Sequence, residues 1–379
     1  MNFETSRSAA LQKLESFIDK EIFKYNFKRN FDLGRNDKSN VSCLSPYISH
    51  RLITEYEIIK SVLAKFPYQK VEKYIQEIFW RIYWKGWLEL RPEVWSDFTE
   101  DLKDIKEDDN YKKAINGETQ IECFNDWVKE LKDNNYLHNH TRMWFASIWI
   151  FTLNLPWQKG AEFFMKHLFD GDPASNTLSW RWVAGLQTKG KHYLAKAWNI
   201  SKFTNNRYQN VKLNENALPL IDKREYKLKA LEIEKNDKSN EILIFFENDL
   251  NIETLNLQSY KQVFCILLSN KIRKIKIDEK VLNYKKTLVN DQTKKFENIK
   301  IIDEKSLNDL SNSVKSFDVI YPFVGENLSF LKSLKRKNSL FYNFITREVD
   351  EFCWNFSNKG YFNFKLNIPK ILKKLNLSL

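Results

Sequence analysis

The sequence predicts a mainly helical N-terminal domain followed by a smaller α/β C-terminal domain. Three observations carry this. Apolar residues recur at three- and four-residue spacing through the first half, as they do on one face of a helix. All tryptophans but Trp354 lie before residue 200. Beyond about residue 210 the chain turns rich in Lys, Asn, Ile and Leu, with short β-branched runs separated by helix-like segments, the pattern of a parallel sheet with crossover helices. The boundaries that follow are 1–210 for the helical domain, 211–229 for a polar linker containing Pro219, and 230–379 for the α/β domain.

In chain order, Ser6 to Asp19 and Thr54 to Phe66 have amphipathic spacing, and Thr54 with Glu57 forms a capping box. Tyr74 to Trp87 and Thr141 to Leu155 are so apolar and aromatic that they read as buried helices, the second stopped by Pro156. Strands are expected at 241–247, 263–269, 299–303 and 317–323, with helices at 305–314 and 326–334 between them. No glycine-rich phosphate loop follows any of these strands.

The chain of 379 residues is 42% hydrophobic, long enough for a sizeable core. Its formal charge of +12 suits a polyanionic partner such as nucleic acid, although Lys-rich chains without one are also common. Cys43, Cys123, Cys265 and Cys353 form no CxxC pair, so they read as free thiols of a reducing cytoplasm, and no metal site is indicated. The N-terminus lacks an apolar signal region, and the run from Met143 to Leu155 is too short to span a bilayer. The expectation is a cytoplasmic monomer with no membrane contact, acting at the nucleoid.

Four segments concentrate chemistry. Val41-Ser42-Cys43-Leu44-Ser45-Pro46-Tyr47 is either a Ser-rich turn with a helix cap or a turn that receives phosphate oxygens. Tyr74, Glu77, Trp80 or Arg81, and Trp84 share roughly one helix face, as an aromatic core with an ion pair or as a polar site. His138-Asn139-His140-Thr141-Arg142-Met143 has two histidines without a third ligand at suitable spacing, which reads as structural. Asp170-Gly-Asp172-Pro-Ala-Ser-Asn176-Thr-Leu-Ser-Trp180-Arg181-Trp182 packs two acids, an amide and two indoles into thirteen residues, and such acids repel unless something cationic holds them.

Together these segments resemble the flavin-binding core of the DNA photolyase/cryptochrome superfamily, over roughly residues 1–210. The Asp170 stretch matches its DxDxxxNxxxW pattern, Ser42 to Tyr47 its SxLSPY segment, Glu77 to Arg81 its ExxWR helix and His138 to Met143 its HNxxRM motif. The resemblance implies FAD as cofactor. Ser42, Leu44 and Ser45 would hold its diphosphate, Asp170 and Asp172 its ring system and ribose, and Tyr25 and Tyr74 would lie against it. Arg142 would pair with Asp170, and Asn176 would face flavin N5, where relatives of plant-photoreceptor type carry Asp. Glu77, Trp80, Arg81, Asn139, Met143 and Trp182 would meet a flipped pyrimidine dimer, and Arg29 the DNA backbone.

Trp180 and Trp157 match the inner members of the family's electron relay, unless they serve packing alone. The outermost member falls near Asp104, with Trp127, Trp149 or Tyr111 open as substitutes. Arg181, Lys189, Lys191 and Arg207 are candidate phosphate contacts. Relatives that repair the other major ultraviolet lesion tend to carry His at the positions of Asn139 and Met143, so cyclobutane dimers are the expected substrate. A cryptochrome-type photoreceptor is the alternative. Residues 230–379 are either a relocated counterpart of the α/β antenna domain that precedes the flavin domain in most relatives, or a structural addition; no antenna-chromophore motif is present.

Overall fold

The structure, a computed structural model, describes residues 3–231, 233–235 and 240–377. The first part is helical: α1 (Arg7–Lys20), α2 (Ile22–Lys28), α3 (Ser45–Ile48), α4 (Glu55–Lys65), α5 (Tyr68–Glu89), α6 (Glu93–Asp104), α7 (Asp109–Asn116), α8 (Glu122–Asn134), α9 (Asn139–Ser147), α10 (Trp157–His167), α11 (Pro173–Ala184) and α12 (Ala197–Phe203). Ser6 caps α1 by accepting from the Ala9 N–H, and the Thr54/Glu57 capping box starts α4. The helix expected to run unbroken from Thr141 to Leu155 instead passes from α9 into a π-helical turn at Ile148–Thr152. There the Leu153 N–H reaches the Ile148 carbonyl at 2.9 Å, and the Trp149 indole donates to the Pro156 carbonyl at 2.9 Å. Pro156 has no N–H with which to continue the helix, and its carbonyl accepts the indole in addition to the Lys159 and Gly160 N–H groups at 3.1 and 3.4 Å.

The second part alternates strand and helix: β1 (Ile242–Phe246), β2 (Gln262–Ile266), α13 (Glu279–Thr293), β3 (Ile299–Ile302), α14 (Glu304–Ser313), β4 (Ser316–Ile320), α15 (Glu326–Asn338) and β5 (Phe341–Ile345), then α16 (Glu348–Trp354), α17 (Tyr361–Lys365) and α18 (Ile368–Lys374). All five strands are parallel, in the order β3-β2-β1-β4-β5, so the order reverses between β1 and β4. The four expected strands form. β5 was not foreseen, since a half-exposed edge strand has only a weak apolar pattern.

Strand periodicity explains how the two parts meet. In β1 the side chains of Ile242, Ile244 and Phe246 face a core shared with Leu307, Leu331 and Leu334 of α14 and α15. Leu243 and Phe245 point the other way, into the apolar core that fills the helical part. Both faces of β1 are therefore covered, which is why Ile-Leu-Ile-Phe-Phe shows no polar alternation. α16 returns to α5. A Cβ on Gly86 of α5 would stand 2.8 Å from Trp354 Cδ1 and 2.5 Å from Ser357 Oγ, so this contact requires glycine. Residues 205–231 form no helix or strand. They run along the helical part, held by Leu220 N–H to Ala184 carbonyl (2.9 Å), Lys229 N–H to Leu90 carbonyl (3.0 Å) and a bidentate Arg224–Asp101 pair.

Two buried polar contacts lock the parts together. Arg51 is 1% exposed and donates to both oxygens of Asp350 at 2.6 and 2.7 Å, with Asp249 at 3.6 Å and Glu55 at 3.8 Å. Burial opposes its charge, but the Asp350 carboxylate more than offsets that and raises the guanidinium pKa. Glu89, at the end of α5, accepts from Tyr321 Oη and the Val324 N–H, both at 2.7 Å. Burial outweighs these bonds and raises its carboxyl pKa to about 7.

Arg51→Met leaves the buried Asp350 carboxylate without the guanidinium that meets both its oxygens and should cost about 3–5 kcal/mol, read as a fall in the urea midpoint. Arg51→Met/Asp350→Leu should recover part of it. Glu89 titrates higher folded than unfolded, so its contribution is complete below its unfolded pKa and is lost as pH rises through about 7. Stability should therefore fall by roughly 3 kcal/mol between about pH 5 and pH 8, and Glu89→Gln should flatten that part of the profile.

Candidate functional site

The residues singled out from α2, the 42–45 turn, α5, α9 and the 168–176 turn are linked by contacts around one part-open site, the hollow. At its base Arg142 donates to Asp170 through both guanidinium nitrogens, at 3.0 and 2.9 Å. Asp170 is buried, whereas the Arg142 side chain keeps 23% of its surface open, so the pair has one face toward the hollow. Ser45 Oγ also donates to Asp170, and Ser49 Oγ donates to its carbonyl at 3.1 Å. Burial alone would raise the Asp170 carboxyl; Arg142 first, then Ser45, hold it below the usual carboxylate range. The Tyr136 ring lies under the guanidinium at 5.2 Å and Arg81 reaches Ser49 Oγ at 2.9 Å.

The turn before α3 is built to receive an anion. Cys43 takes a left-handed conformation (φ 50°) and Leu44 a right-handed one (φ −90°), a pairing that turns successive N–H groups to one side. Among the described residues the N–H groups of Ser42, Cys43, Leu44 and Ser45 donate to no protein acceptor. The Cys43 thiol is turned inward toward the Lys38 carbonyl, and the Leu44 side chain is 1% exposed, so both offer only backbone.

Along α5, Glu77 pairs with Arg29 at 2.5 Å, and Tyr25 meets Tyr74 edge-to-face at 5.1 Å. Burial raises the Glu77 carboxyl against the pull of Arg29, although its side chain is still 31% exposed. Asn139 is exposed and Met143 half-buried at the rim. Half-buried Trp182 stacks on Tyr193 at 5.8 Å, whose hydroxyl lies 3.3 Å from His140 Nε2. Burial lowers His138 to about 3, and its Nδ1 accepts from the His140 N–H, which fits the structural reading. Among the described residues no group of three His, Cys, Asp or Glu side chains is arranged to hold a metal.

α11 begins at the hollow. Asp172 caps it, one carboxylate oxygen accepting the Ser175 N–H at 2.7 Å and the other outside that bond. Asn176 Nδ2 donates to the Ala161 carbonyl at 2.9 Å, which fixes the amide and leaves its oxygen as an acceptor. Trp180 is 2% exposed, and its ring contacts are Trp149, Phe145 and Phe164. Trp157 lies apart from that cluster, stacked on Phe98 at 5.4 Å.

Several expectations change. Arg181, expected on a DNA-facing surface, is 4% exposed and lies 3.7 Å from Asp222, because the strap at 205–231 covers it. Arg207 is spent on Asp32 at 2.7 Å, and Lys189 pairs with Glu225 at 3.1 Å. Trp80 has a neighbour that no local signal announced: Tyr361 of α17 stacks on it at 3.5 Å, interplanar angle 11°, and donates to the Gln76 carbonyl at 2.8 Å. Ser49 was also overlooked, though it stands one helical turn beyond Ser45.

Residues 74–222 match the family model described as the FAD binding domain of DNA photolyase. The chain is 29% identical over 207 residues to the deoxyribodipyrimidine photo-lyase of Buchnera aphidicola, covering 50% of this chain and 41% of that one. It is 29% identical over 185 residues to that of Agrobacterium fabrum, covering 47% and 38%. The crystal structure of a bacterial class III photolyase from Agrobacterium tumefaciens aligns with a TM-score of 0.46 at 27% identity, over 53% of this chain and 43% of that one. This chain thus spans only part of the length of these relatives. The match runs through the stretch that contains the Arg142–Asp170 pair and Asn176, and over that stretch the chain is similar to the FAD-binding domain of the DNA photolyase/cryptochrome superfamily.

Proposed function

We propose that this protein is a light-driven repair enzyme that binds FAD in the hollow and splits cyclobutane pyrimidine dimers in DNA. The observation that carries the reading is the Arg142–Asp170 pair, bidentate and open on one side, beside the unpaired N–H groups of residues 42–45. A guanidinium, its carboxylate and a nest of N–H groups suit a folded dinucleotide with both anionic and hydrogen-bonding parts. Bound FAD, when reduced and excited by light, supplies the electron that opens the cyclobutane ring and takes it back afterward.

The chain's own groups do the rest. Ser42, Leu44 and Ser45 hold the diphosphate through backbone N–H groups. Asp172 offers its free oxygen to the ribose. The fixed amide of Asn176 presents an oxygen to a protonated ring nitrogen, which favours the reduced cofactor. Tyr25 and Tyr74 wall the hollow. Glu77 hydrogen-bonds the base edge, while Asn139, Met143, Trp80 and Trp182 pack against the extruded bases. Arg29 meets the flanking phosphates, and Arg81 the extruded bases. Extruding a damaged pair costs less than extruding an intact one, because it stacks and pairs poorly.

On this reading residues 1–210 form the flavin domain, 211–229 the connecting strap, and 230–379 a relocated counterpart of the α/β antenna domain. Support for the last comes from the parallel five-stranded sheet, whose β1 and β4 ends abut α11: a Cβ on Gly325 would stand 2.7 Å from Pro173 Cγ. The second reading, a blue-light receptor of cryptochrome type, draws on one feature, the face of Trp80 taken by Tyr361.

Two measurements test these readings. Reduced, FAD-loaded protein under blue light should restore the ultraviolet absorbance of a dimer-containing oligonucleotide, and no restoration would leave the receptor. Asn176→Asp sets a carboxylate against the Ala161 carbonyl and an anion beside the reduced ring. It should speed air reoxidation of the reduced cofactor on the order of tenfold, followed by absorbance.

A further inference from the structure

The short helix α17 is pinned from beneath and bare on its outer side. Tyr361 stacks on Trp80 at 3.5 Å, and Phe364 meets Phe79 at 6.2 Å and Tyr83 at 5.6 Å. The Tyr83 hydroxyl donates to the Lys359 carbonyl at 3.0 Å, and Arg91 donates to the Asn358 carbonyl at 2.7 Å. On this anchored turn Phe362 is nevertheless 82% exposed, and Leu366, four residues on, is 76% exposed. The surrounding sequence is basic: residues 352–379 contain five lysines and no acid.

Position decides what this bare side meets. α5 leaves a strip open to solvent that includes Lys73, Glu77 and Trp80, spaced four and three residues apart on one helix face. α17 borders the strip through Tyr361 on Trp80 and through Lys365, 3.5 Å from Glu72. α2 borders it through Arg29 on Glu77 and Tyr25 on Tyr74. Phe362 and Leu366 thus belong to the element beside the mouth of the hollow. Among the described residues the exposed Lys73 and Lys359 ammonium groups form no ion pair and donate no hydrogen bond. The cations first expected to meet phosphate, Arg181, Lys189 and Arg207, are by contrast spent on acids. An apolar pair among free ammonium groups suits a DNA strand, whose phosphates take the cations and whose bases offer flat apolar faces. A second copy of this chain would bring like charge to the same face, since the net charge is +12.

We propose that α17 is a DNA-binding element at the edge of the hollow; this rests on the repair reading above. Phe362, with Leu366 beside it, packs on the base next to an extruded dimer, and Lys359 and Lys73 neutralise phosphates of the same strand. Extruding two bases leaves their neighbours without a stacking partner. A ring held at that edge replaces part of the lost stacking. It does so only for damaged DNA, because an intact duplex extrudes nothing, whereas the two lysines act on either. The element lies outside residues 74–222, the stretch that matches the family model.

The test is fluorescence anisotropy in the dark, with FAD-loaded protein and a labelled duplex oligonucleotide that is either intact or carries a thymine dimer. Phe362→Ala should weaken binding of the damaged duplex about tenfold and leave binding of the intact one unchanged. Lys359→Gln should weaken both and lower the slope of log affinity against log salt by about 1. Both side chains are exposed, so FAD content should stay as in the parent. If the parent prefers the damaged duplex and both variants bind as it does, α17 is no DNA contact and the repair reading stands. Equal weakening of both duplexes by Phe362→Ala, or affinity lost together with FAD, also overturns the proposal. A parent that carries FAD yet does not prefer the damaged duplex overturns the repair reading as well.

Discussion

A carboxylate buried without a partner is among the most costly things a fold can contain, and Asp170 is tolerable only because Arg142 meets both of its oxygens. The two residues come from different elements, α9 and the turn before α11. Their pairing therefore sets the distance between those elements, and with it the position of Asn176 one and a half turns further along. Ser45 ties the same carboxylate, and Ser49 the Asp170 backbone carbonyl, to the two ends of α3. Three segments far apart in sequence are thus positioned by one ion pair, whose open side lies at the part-exposed Arg142 side chain.

The sheet acts on the hollow from behind. The strand order reverses between β1 and β4, and the carboxyl ends of those strands face the Gly171–Pro173 turn. His50 bridges the interface, one ring nitrogen 3.1 Å from the Glu247 carbonyl and the other 3.0 Å from the Phe169 carbonyl. With the Arg51–Asp350 pair and a shared apolar core, these contacts make the α/β part a support for the loop that holds Asp170. A flavin site whose walls are charged gains from such backing, since an ion pair keeps its geometry only if its elements cannot drift apart.

The aromatic content then divides by environment. Around α5 the rings border the open hollow, beside the titratable groups Glu77 and Arg29. Around α10 they form a closed cluster in which Trp180 and Trp149 touch across a glycine and Arg181 stands over Trp157. Identical side chains carry different roles here because the nearest charge and the nearest hydrogen-bond acceptor differ.

Much was legible in the sequence. Helical periodicity placed α1, α4 and α5 and the apolar runs placed β1 to β4, because local pattern is written in neighbouring residues, whereas the pairing of Arg142 with Asp170 came from the family resemblance of the motifs that carry them. What only the tertiary structure decided are the contacts made across hundreds of residues. Tyr361 on Trp80, Asp350 on Arg51 and the strap over Arg181 have no local signal, since each depends on where an element returns after the chain has left. The same holds for the choice among Trp127, Trp149 and Tyr111 beside Trp180: composition offered three rings, and only packing around Gly160 selects which of them touch.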